Sequence, residues 1–190
     1  MPMQDIRPRT EDELEAALPG IQAAPRDVGV VELIARRPSH GERELLEEAT
    51  LEPALGLVGD NWHLRPSRHR DDGKPDPDRQ LTLMSARAVA AVAGERAHWA
   101  IAGDQLYVDL DLGRENLPAG TQLTVGTAVL EVTAAPHTGC DKFTARFGSA
   151  ASRWLNTPTG RALNLRGIHA RIIVGGVVRR GDALRKRRSP

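Results

Sequence analysis

Aromatic side chains, cysteine and long apolar runs are all scarce in this chain of 190 residues. Aromatic residues make up 3%, so the core must be filled mostly by Val, Leu, Ile and Ala. There is one cysteine, Cys140, which excludes an internal disulfide and fits a reducing compartment such as the cytoplasm. No apolar run approaches the roughly 20 residues of a membrane-spanning helix. The opening stretch, MPMQDIRPRTEDELEAAL, lacks the apolar segment of a secretory signal. A surplus of one charge sign is missing as well. The 26 basic and 25 acidic residues leave a formal net charge of +1, which gives no general attraction to nucleic acid or to an anionic membrane. No CxxC, HxH or HxxxH spacing occurs, so a zinc site built from neighbouring ligands is not expected.

What is present belongs to an ordinary globular domain: 40% hydrophobic and 27% charged residues, at a length that suits one core. Thr10-Glu11-Asp12-Glu13 reads as a capping box opening a short acidic helix that Pro19-Gly20 should stop. Residues 28–35, VGVVELIA, are rich in β-branched side chains and read as a strand. A short strand over 48–51 follows. The segment 65–78, with its charges and three prolines, reads as a long exposed loop. RQLTLM at 79–84 is a half-buried strand pattern, and Ser85 caps an Ala/Val-rich helix ending near Gly94. LYVDLDL at 106–112 alternates at period two, and Gly126-Thr127 separates two strands near 121–125 and 128–133 as a hairpin. Short helices are expected over 140–147 and 150–155 with Gly148 as a break, followed by a strand over 168–174. Strands dominate and do not alternate with helices in βαβ order. The expected fold is therefore mainly β, a closed or partly closed barrel decorated with short helices. Residues 1–27 form an N-terminal extension, 28–184 the domain, and 185–190 a disordered basic tail.

Cys140 is the residue that speaks most directly of chemistry. Its setting is Pro136-His137-Thr138-Gly139-Cys140-Asp141-Lys142-Phe143. With Thr138 as a helix cap, the thiol falls in the first helical turn, where the dipole favours thiolate, and His137 and Lys142 add positive charge. Such a sulfur is a nucleophile, a soft metal ligand or a sulfur acceptor. A buried, inert thiol acting as a small apolar residue is the competing reading. His137, three residues earlier, can sit beside the sulfur or be a solvated loop residue. His169 reads as a satisfied sheet residue, and His40, His63, His69 and His98 as loop positions. Asp109 and Asp111 share a strand face; solvation explains that better than an acid–base pair. Arg36, Arg37, Arg65, Arg166 and Arg171 are the arginines that can grip an anion, although most arginines are surface charges.

In order along the chain, GLVGD at 56–60, RQLTLMSARAVA at 79–90, LYVDLDLGRENLPAGTQLTVGTAVLEVT at 106–133, PHTGCDKF at 136–143 and LRGIHARIIVGGVVRRGD at 165–182 resemble the MOSC family, the domain also found at the C-terminus of molybdenum-cofactor sulfurases. The resemblance spans about residues 28–184, and Cys140 falls at the family's characteristic cysteine. It implies a barrel-like β fold and either binding of the molybdenum cofactor (molybdopterin) or sulfur transfer. Cys140 would then be the molybdenum ligand or a persulfide site. In some relatives the thiolate ligates molybdenum and N-hydroxylated compounds are reduced; in others the domain accompanies a pyridoxal-phosphate desulfurase. No desulfurase domain or pyridoxal-phosphate lysine motif is visible here, so a cysteine desulfurase would be a separate sulfur donor, and a redox partner is the alternative associate. Within this reading Arg36, Lys142 and Arg166 are candidates to hold a pterin phosphate. Asn116 and His137 are candidates to shape the pocket. Two non-catalytic alternatives remain: a module that delivers cofactor or sulfur to a partner, and a structural domain with an inert thiol.

Overall fold

The computed structural model of the protein describes residues 6–139 and 141–187. Eleven strands and four α-helices are formed among them. Seven strands close a mixed barrel in the order β11 (Ala183–Lys186), β7 (Gln122–Val125), β8 (Ala128–Val132), β9 (Ile168–Val174), β5 (Leu81–Ser85), β6 (Leu106–Asp109) and β1 (Val28–Arg36), with β11 returning to β1. β2 (Glu44–Leu46) extends the far end of β1, where Ile34 lies opposite Leu46. All neighbours are antiparallel except β5 and β6, which run parallel and are joined by a helical crossover. A second sheet of three strands, β10 (Gly176–Arg179), β3 (Glu48–Glu52) and β4 (Gly56–Leu57), adds Ala49, Leu51, Leu57 and Val178 to the barrel core.

Period-two alternation places one side chain of each pair inside the barrel. Val31, Leu81, Leu83, Leu106, Val108, Leu123, Val125, Leu130 and Leu184 fill that interior. The outward residues of three strands are not solvated. Leu33, Ala35, Met84 and Tyr107 form a second core with the helices α1 (Glu11–Gln22), α2 (Ala86–Ala93) and α3 (Asp141–Asn156). This is why all five residues of β5 are buried, whereas β7 alternates.

Several elements differ from expectation. α1 carries the reciprocal Thr10–Glu13 capping box but runs through Pro19-Gly20 to Gln22. Pro19 lacks only one N–H and lies in the last two turns of an exposed helix side, while Ile21 beyond it is buried against the second core. LYVDLDL leaves the sheet after Asp109, because Asp111 turns back to accept the Gly113 N–H at 2.8 Å. The expected helix break at Gly148 is present: that glycine is non-helical, with φ 88° and ψ 166°, and divides α3 into two helical halves. Strand β11 includes Arg185 and Lys186, where the sequence predicts a disordered tail; Lys186 N–H donates to the Asp27 carbonyl and Arg187 N–H to the Gln122 carbonyl. Among the described residues no helix is long and apolar enough to cross a membrane.

Candidate functional site

The crossover between β5 and β6 ends in a 3₁₀ helix, Arg96–Ala102, terminated by Gly103 in the left-handed region. Four successive carbonyls at this end each accept from a different arginine. Arg43 Nε donates to Ala100 at 3.2 Å, Arg146 Nη1 to Ile101 at 2.7 Å, Arg166 Nη2 to Ala102 at 3.2 Å and Arg37 Nη1 to Gly103 at 3.3 Å. A helix C-terminus is the negative end of its dipole, so cations collect there. A Cβ on Gly103 would lie 3.5 Å from the Arg43 guanidinium and 3.8 Å from that of Arg146.

Carboxylates are few in this cluster. Arg37 is held bidentate by the buried Asp60 at 2.9 Å on both oxygens. Arg166 Nη1 donates to Asp104 Oδ2 at 2.7 Å and its guanidinium lies 5.2 Å over the Phe143 ring. Asp104 is completely buried, and its backbone N–H is fixed by the Tyr107 hydroxyl at 3.2 Å. Arg43 and Arg65 have no carboxylate partner among the described residues. Burial pushes the Arg43 guanidinium below its ordinary pKa, reinforced by Arg146 and Arg37, whereas Arg65 is exposed at the edge of the cluster. The cluster is therefore cation-rich and only partly compensated.

On the other side of the Asp104–Arg166 pair lies a cavity of about 590 Å³, walled by the 132–139 segment, the end of α3, the short helix α4 (Pro158–Ala162) and the start of β9. Its inner end holds Arg166, His137 and His169. The two imidazoles pack with centroids 4.5 Å apart at 47°. Burial lowers the pKa of both, with Arg166 the next cause for His137. Both rings are consequently neutral at pH 7. His169 Nδ1 donates to the Ala135 carbonyl at 3.1 Å, which leaves the lone pair on Nε2. His137 Nδ1 lies 3.6 Å from Asp104 Oδ1, and both atoms are buried without a hydrogen bond. With a neutral ring this contact is not an ion pair, and at 3.6 Å it is too long for a hydrogen bond. The cavity rim carries the exposed Arg114 and Arg161, neither of which pairs with a carboxylate among the described residues. Arg114 N–H donates to the Ala162 carbonyl at 2.9 Å, which brings the two arginines to the same edge.

Of the residues singled out from sequence, the structure brings Arg166 and His137 together at this cavity. Cys140 lies outside the described residues; its neighbour Gly139 lines the cavity. Lys142 sits at the exposed start of α3, its Nζ 3.1 Å from His40 Nε2 and one turn before Arg146. Arg36 is elsewhere, donating to Glu44 at 2.7 Å and packed against Gly59. Asn116 is buried under the loop after β6, donating to the Arg26 and Asp111 carbonyls at 2.9 and 2.8 Å and accepting from Lys186 at 3.2 Å. It borders a different cleft, with Lys186 and Arg187. Asp109 pairs with Arg87 at 2.6 Å, so the two strand aspartates are engaged separately. Asp104, Arg43, Arg146, Arg114 and Arg161 carried no local signal; their roles arise from contacts between distant segments.

The chain matches the family model described as MOSC domain over residues 59–185 and belongs to that family. Among solved structures, the YUAD protein from Bacillus subtilis is similar over 83% of this chain and 94% of its own, with 17% identity and a TM-score of 0.60. YiiM from Escherichia coli is similar over 85% of this chain and 71% of its own, at 21% identity and TM-score 0.55. YiiM from Geobacillus stearothermophilus is similar over 87% and 75%, at 13% identity and TM-score 0.52. These likenesses bear on the fold. No curated protein sequence matches the chain.

Proposed function

We propose that this MOSC-domain protein handles the molybdenum cofactor or its sulfur, with Cys140 as molybdenum ligand or persulfide site. The observation that carries the reading is the under-compensated arginine cluster around Ala100–Gly103, one member of which, Arg146, lies on α3, the helix that begins one residue after the cysteine. Desolvating guanidinium groups without carboxylates is costly unless an anion arrives. The pterin cofactor carries such an anion in its phosphate, so the residues present fit the group. Arg43, Arg65 and Arg146, with Lys142 one turn earlier on α3, would hold the phosphate end, as charge-assisted donors do. A thiolate at Cys140 would meet the soft metal end. When bound, the cofactor supplies two-electron redox chemistry. The chain itself would orient it, keep Arg166 fixed through Asp104, and offer neutral imidazoles at the adjoining cavity. Reduction of N-hydroxylated compounds is one reaction of this class; it would require a separate redox partner, and persulfide transfer would require a sulfur donor. A cytoplasmic setting suits either.

The test is molybdenum content and intact mass of protein purified from a molybdenum-replete host, with Cys140→Ser and Arg146→Ala alongside. Cys140→Ser should lose molybdenum or the persulfide mass while its melting temperature stays close to wild type. Arg146→Ala should lower cofactor retention without touching the thiol. A Cys140→Ser protein with wild-type cofactor content would overturn the reading. A wild type without cofactor or persulfide, but with a labelled thiol, would favour a delivery module.

A further inference from the structure

The cavity beside Arg166 has two chemically distinct ends. At its inner end, His169 Nδ1 is committed to the Ala135 carbonyl, so Nε2 of this neutral ring can only accept. Its walls are mixed: Leu117, Val132, Leu155 and Ile168 alternate with Thr133, Thr138, Asn156 and Asn164. Its rim carries Arg114 and Arg161, two guanidinium groups without carboxylate partners among the described residues. None of Arg37, Arg43, Arg65 or Arg146 lines it, so the cation cluster and the cavity meet only through Arg166.

We infer that this cavity is a binding site for a small molecule with a partly apolar body, an N–H or O–H donor at one end and a carboxylate or phosphate at the other. The donor meets His169 Nε2 and the anion meets Arg114 and Arg161. A protonated amine at the inner end is disfavoured by Arg166, and an anion there is disfavoured by the imidazole lone pair. The assignment rests on reading the cavity as the substrate side of the proposed cofactor site, and it names the substrate class.

The probe is 4-hydroxybenzoate, titrated onto the full chain by ligand-observed NMR. Two analogues each remove one end: 4-methoxybenzoate lacks the donor, and 4-hydroxybenzamide lacks the charge. Saturable binding is expected, weakened on the order of tenfold for each analogue and for the double variant Arg114→Ala/Arg161→Ala, as befits loss of a charge-assisted or satisfied buried contact. Both arginines are exposed, so that variant should unfold with the wild-type midpoint. Equal affinity for the amide, unchanged affinity in the double variant, or no binding at millimolar probe would each overturn the inference. Cys140→Ser separates the two proposals. Retained probe binding with lost molybdenum supports both, while retained probe binding with wild-type molybdenum content sinks only the cofactor reading.

Discussion

Asp104 does the most at the residue scale. It is fully buried, it fixes Arg166, and its second oxygen faces the orphaned Nδ1 of His137. Asp104→Asn keeps the shape but leaves a buried guanidinium unpaired, which should cost roughly 3 kcal/mol in chemical denaturation. The neighbouring histidines set an acid limit. Both have folded pKa values below their unfolded value of about 6.5. As pH falls below about 6.5 the unfolded chain takes up protons that the folded chain refuses, so stability present at neutral pH is lost toward acid. Urea midpoints between pH 7 and 5 should therefore decline in the wild type, and His137→Asn should flatten that decline. At this scale the sequence was only partly legible. His137 and Arg166 are readable as candidates because they flank recognisable segments. Asp104 follows a glycine and reads as a turn residue; nothing local announces that an arginine 62 positions away neutralises it.

Among the elements, α3 shows how much a single glycine can specify. Gly148 has φ 88° at the break between the two helical halves, and a Cβ there would also lie 3.0 Å from Pro8. Gly148→Ala should destabilise by about 2 kcal/mol, measured by denaturant titration, through strain at a left-handed position. The loop over 65–76 makes a contrasting case. It is mostly exposed and held by short-range contacts such as the Arg70–Asp72 pair. Trypsin should cut it first and leave a folded barrel, visible as a nicked species with near-native circular dichroism. Turn and cap chemistry made most elements readable: Thr10, Ser85 and Gly126 each act where their side chains or backbone freedom dictate. The helix past Pro19 and the strand through Lys186 were not readable, because tertiary partners, the second core and β1 with β7, override the local signals.

For the whole molecule, the barrel was legible as a class but not as a strand order. Alternating patterns reveal how many faces are buried, whereas β1 beside β11 and β5 parallel to β6 are pairings that no local pattern encodes. The closing strand is short, and it supplies Leu184 to the core while covering the edges of β1 and β7. Removing residues 183–190 should abolish the cooperative thermal transition, since an opened barrel exposes two strand edges and part of the core together.

That late closure also matters while the protein is being made. Val28–Val30 and β7 cannot acquire their last neighbour until residues 183–186 have been translated. Every earlier nascent chain carries an unsealed sheet with two adhesive borders, one contributed by the first strand to emerge. The cell must shield those borders throughout synthesis, so chaperone supply and translation speed, rather than the equilibrium stability of the finished barrel, would set how much protein survives to receive a ligand.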